Sequence, residues 1–66
     1  MGIPDIRFED HGTIWLIRGK TSAGEEWLAE NVQAETFFGG AIVAEHRFVS
    51  DIIAGAQAEG LVVDLA

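Results

Sequence analysis

The sequence predicts an α+β fold in which an antiparallel four-stranded sheet carries two helices on one face. Three observations lead there. Apolar runs rich in β-branched and aromatic residues recur at Thr13–Arg18, Glu35–Phe38, Ala41–Ala44 and Leu61–Leu65. Two segments with helical signals, Ala23–Asn31 and Glu45–Glu59, alternate with them. The chain has 66 residues, 48% apolar and 23% charged, which suits a single small domain spanning 1–66.

Each element has its own warrant. Pro4–Glu9 alternates Ile6 and Phe8 against Arg7 and Glu9, so it reads as a short extended arm or an extra N-terminal strand. Asp10-His11-Gly12 reads as a turn. Ile14, Trp15, Leu16 and Ile17 are apolar without alternation, the pattern of a strand covered on both faces. Ser22-Ala23-Gly24-Glu25 fits a capping box, with the Ser22 hydroxyl accepting from the backbone and Glu25 reaching back. Trp27, Leu28 and Val32 then mark one side of the first helix and its exit. Gly39-Gly40 between two apolar runs is a two-residue hairpin signal, because the favoured turns need positive φ. Phe48, Val49, Ile52, Ile53 and Ala56 form the stripe of an amphipathic second helix, and Gly60 occupies the C-terminal cap position.

Strand, helix, strand, strand, helix, strand is the βαββαβ order of the ferredoxin-like fold. The first and third strands would be central, and the sheet face away from the helices would be open. Trp15, Ile17, Phe37 or Phe38, and Ile42 or Val43 are too many to point at the helices together. The open face is therefore expected to be apolar.

Charge excludes several functions. Eleven acidic residues against four basic ones give a net charge of −7. Arg7, Arg18, Lys20 and Arg47 are scattered, so direct binding to nucleic acid or to an anionic membrane is not expected. Neither a membrane-spanning run nor a secretory signal is readable, and Ile6 stands where a myristoylation site wants Ser or Thr. The expected location is the cytoplasm, as a monomer or a homodimer.

The residues do not assemble a reactive centre. The chain has no cysteine, and neither His11 nor His46 belongs to a paired-histidine helical spacing. Glu9, Asp10 and His11 could hold a cation, as could Glu25, Glu26 and Glu30, but a solvated acidic surface accounts for both groups. Gly19-Lys20-Thr21 lacks the earlier glycine of a phosphate loop. The Phe37–Val43 stretch lacks the basic-glycine pair of an RNA-recognition sheet. No enzymatic activity and no cofactor are expected. What remains is the acidic surface. Glu25, Glu26, Glu30 and Glu35, followed by Glu9 and Asp10, are the candidate partner-binding residues. They would imitate nucleic-acid phosphates toward a basic groove.

His11–Leu16, Glu26–Val32, Phe38–Val49, Gly55 and Gly60-Leu61 resemble a group of short proteins of proteobacterial phages, prophages and plasmids. The resemblance covers most of the chain and carries no functional residue with it. It implies a mobile-DNA setting in a bacterial host cell. By size and charge the chain is similar to anti-CRISPR proteins, DNA mimics that block target binding by a Cascade-type effector. The resemblance thus implies an inhibitor whose partner is a basic surface of a CRISPR effector subunit or of another nucleic-acid-binding protein. The other expectation is an accessory or structural module that binds a protein partner, or itself, through the apolar sheet face.

Overall fold

The computed structural model describes residues 3–32, 37–38 and 41–65. Its elements are β1 (Ile6–His11), β2 (Ile14–Gly19), α1 (Ser22–Asn31), β3 (Phe37–Phe38), β4 (Ala41–Glu45), α2 (His46–Ala58) and β5 (Val63–Leu65). The chain forms an α+β domain with one mixed sheet, strand order β3-β4-β2-β1-β5. Glu35 and the Gly39-Gly40 turn lie outside the described residues. β3 and β4 pair antiparallel, Phe37 with Ile42 and Phe38 with Ala41.

Two expectations are corrected by this order. The sheet is not antiparallel throughout, because β5 runs parallel to β1, Ile6 beside Val63 and Phe8 beside Leu65. Of the two readings of the N-terminal segment, arm or extra strand, the strand is the one found, and it is inserted between β2 and β5 where a ferredoxin-like sheet would have the first and last strands adjacent. The cause is local. The β1–β2 hairpin closes over Gly12 and Thr13, with Gly12 at φ +87° and His11 opposite Ile14. The turn therefore falls later than Asp10-His11-Gly12, and Asp10 and His11 belong to β1. Asp10 Oδ1 accepts the Gly12 N–H at 2.9 Å, which favours the turn. Once β1 has folded back on β2, its other edge takes β5.

One face of the sheet holds the core. Ile6, Phe8 and Ile17 are fully buried against Leu28 of α1 and Val49 and Ala56 of α2, with Ile42 beside them. Trp15 and Ala44 pack against the same cluster, as do Trp27, Ile52, Ile53 and Val63. Both helices therefore cover one sheet face. Trp15, Ile17 and Ile42 all sit on that face, while the Phe37 and Phe38 side chains that complete the crowding argument lie outside the described ones.

The helix ends follow from their caps. The N-cap of α1 is Thr21, one residue before the expected Ser22, and Thr21 Oγ1 accepts the Gly24 N–H at 3.1 Å. Glu25 is thus not the partner in a capping box. At the other end of α2, Gly60 has φ +81°. Its N–H bonds Gln57 O at 3.0 Å, and the Leu61 N–H bonds Ala56 O at 3.1 Å. These two bonds are the Schellman pattern that a glycine there predicts.

Candidate functional site

The acidic residues fall into two groups with different surroundings. The first group is held by the protein itself. Strand alternation places Arg7, Glu9, His11, Ile14, Leu16, Arg18 and Val43 on the sheet face away from the helices. Glu9 lies at the centre of this face. Its Oε2 accepts from Arg18 Nε at 3.0 Å and lies 3.7 Å from Arg7 Nε, while Oε1 lies 3.5 Å from His11 Nε2. The hydrogen bond from Arg18 is the largest cause holding the Glu9 carboxyl below the usual range, with His11 and the charge of Arg7 assisting. Asp10, next along the strand, points to the opposite face and serves the hairpin turn. Glu9, Asp10 and His11 therefore do not converge on a point where a cation could sit.

Asp5 belongs to the same group and was not singled out from the sequence. Its Oδ1 accepts the Thr21 hydroxyl at 2.7 Å and its Oδ2 accepts the Val62 N–H at 2.8 Å. Its backbone N–H donates to Val62 O at 2.8 Å, and its carbonyl accepts the Lys20 N–H at 2.8 Å. One residue thus joins the start of β1, the cap of α1 and the approach to β5. The Val62 amide, followed by the Thr21 hydroxyl, lowers its carboxyl from the ordinary value. Gly24 packs on this carbonyl so tightly that a Cβ there would stand 2.8 Å from the Asp5 carbonyl carbon. No motif marks Asp5, because its partners lie 16 and 57 residues away.

The second group points outward. Glu25, Glu26 and Glu30 are exposed on α1, a helix without lysine or arginine, and Asp51 and Glu59 are exposed on and just beyond α2. Among the described residues none of the five takes part in an ion pair. Asp51 escaped the sequence reading, although its place on the polar side of the α2 stripe was a usable signal. Glu45, at the N-cap of α2, pairs with Arg47 at 3.3 Å. Among the described residues the acids of α1 therefore lack an ion pair, as does Asp64 of β5, whereas Glu9 on the sheet is ion-paired. Of the predicted contact residues, the structure brings Glu25, Glu26 and Glu30 together on one short helix. Glu9 is ion-paired within the sheet, and Asp10, exposed, accepts the Gly12 N–H.

The open sheet face also differs from expectation. Leu16 is only 7% exposed and Ala41 is fully buried, and the ion cluster around Glu9 occupies the β1–β2 side. Ile14 is 41% exposed there, beside Glu45. No grouping of three His, Cys, Asp or Glu among the described residues could hold a metal ion, and no described helix is long and apolar enough to cross a membrane. Comparison with protein-family models, with curated proteins and with solved structures gives no match.

Proposed function

We propose that this protein is a non-catalytic binding module that occupies a basic surface of a nucleic-acid-handling protein, with α1 as the contact. The observation that carries the reading is the sorting of the acids. Glu25, Glu26 and Glu30 stand exposed and without ion pairs among the described residues on one helix, while Glu9, Asp5 and Asp10 accept hydrogen bonds from other residues of the chain. Exposed like charges on one short helix cost self-repulsion in the free protein. A basic groove relieves that cost and is approached rapidly through long-range attraction.

In the mobile-DNA setting that the sequence resemblance implies, this role is that of an inhibitor of host defence. It is an anti-CRISPR protein that excludes target DNA from a Cascade-type effector in the bacterial cytoplasm. The ion-paired sheet face and the buried Leu16 and Ala41 argue against the alternative, a module docking through a broad apolar sheet face.

The test is capture from a nuclease-treated lysate of a CRISPR-bearing host. Wild-type protein should retain a nucleic-acid-binding subunit, and the Glu26→Lys, Glu30→Lys variant should not. Equal retention by both baits would refute α1 as the contact.

A further inference from the structure

The edge of the sheet formed by β5 combines features that the α1 reading does not use. Among the described residues β5 has one neighbour, β1. Val62 turns both its backbone groups toward β1, since Ile6 N–H and Asp5 N–H donate to Val62 O and Val62 N–H donates to Asp5 Oδ2. By strand alternation Asp64 does the same, which leaves the N–H and C=O of Val63 and Leu65 directed outward.

Apolar side chains gather at this edge. Val62 is 58% and Leu65 61% exposed. Between Val62 and Leu65 stands Asp64, on the open face in register with Arg7.

We propose that the outer edge of β5 is a docking site for an extended, basic segment of a partner protein, which adds to the sheet as a further strand. Outward backbone groups of Val63 and Leu65 supply the main-chain hydrogen bonds, the usual source of affinity in strand addition. Val62 and Leu65 give flanking apolar contact on the two faces. Asp64 selects a lysine or arginine at the facing position of the incoming strand, where it would lie between that cation and Arg7. A second copy of this chain is the wrong occupant. Antiparallel self-pairing centred on Asp64 sets the two carboxylates against each other, and two chains of charge −7 repel. The proposal concerns a surface separate from α1 and stands or falls without it.

The test is an NMR titration of the labelled protein with a short synthetic peptide of alternating valine and lysine, and with its valine–glutamate counterpart. The lysine peptide should shift the Val63 and Leu65 amides saturably and slow their hydrogen exchange. Leu65→Pro removes an outward donor without touching the ladder to β1, and should weaken binding about tenfold, the effect of one lost hydrogen bond. Asp64→Lys should reverse the peptide preference. Asp64→Asn, the milder change, should abolish it while keeping the wild-type circular dichroism. Four results would overturn the proposal: no saturable shift, shifts confined to α1, a preference unchanged in both Asp64 variants, or shifts at Val63 and Leu65 that follow protein concentration without peptide.

Discussion

The indole of Trp27 in α1 lies against Gly55 of α2, so that a Cβ built on Gly55 would stand 3.1 Å from Cζ2 of the ring. A glycine inside a helix costs about 1 kcal/mol relative to alanine. Here it lets the two helices share a half-buried tryptophan over the core cluster. The contact fixes how α1 rests on the sheet, and hence where Glu25, Glu26 and Glu30 point.

Gly55→Ala should therefore be close to neutral, as the gain in helix propensity offsets the small displacement of the ring. Gly55→Leu should destabilise clearly, and Trp27→Ala should cost about 2–3 kcal/mol, at the low end of large-to-small changes for a half-buried site. A chain of this size has roughly 3–10 kcal/mol in total. Urea denaturation of the three variants checks the order.

Thr21→Ala should cost about 1–2 kcal/mol, because the hydroxyl caps α1 and also donates to Asp5. Ser22→Ala should change stability by less than about 0.5 kcal/mol, as expected for an exposed position away from the cap. Comparable losses at both positions would contradict the cap assignment. Thermal melts followed by circular dichroism decide it.

Asp5 makes stability depend on pH. Its native carboxyl is lowered below the unfolded value, so its contribution is complete above the unfolded value. That contribution declines as pH falls below this value and is lost once pH has passed through the native one. Asp5→Asn should be less stable than wild type at neutral pH, and the gap should close on acidification. A gap independent of pH would show that the carboxylate charge is not what holds Val62 and Thr21. Glu9 carries the same sign, so the variant should retain part of the acid dependence.

Charge reversal should separate the two groups of acids. Glu9→Lys would set a third cation beside Arg7 and Arg18 and should lower the urea midpoint. Glu26→Lys with Glu30→Lys should leave the midpoint within about 0.5 kcal/mol of wild type, since both sites are exposed.

Much of this was legible locally. The helices announced themselves through Trp27, Leu28 and the Val49–Ala56 stripe, although Phe48, counted in that stripe, is 48% exposed, and Gly60 forecast its own Schellman bonds. The unalternated Ile14–Ile17 run marked β2 as interior, with Leu16 and Ile17 buried on opposite faces. The place of β1 was not legible. Ile6 and Phe8 encode one buried face, but pairing with β5 depends on contacts far apart in sequence, to which local pattern is blind. The same distance hid the Asp5 clamp. The ion pairing of Glu9 was hidden for a related reason. A carboxylate looks free in a sequence until strand register brings Arg18 opposite its neighbour Arg7.

The binding of wild-type protein to its captured partner should weaken as salt rises, because exposed carboxylates are screened at separations near the Debye length, about 8 Å at physiological ionic strength. Salt-insensitive binding would point instead to buried apolar contact.

The most direct measurement is phage plating on a CRISPR-immune host that expresses the protein. With wild type the phage should form plaques at high efficiency. With the Glu26→Lys, Glu30→Lys variant, folded and equally expressed, immunity should return. If the variant restores plaques as well as wild type does, the exposed acids of α1 are not the working surface.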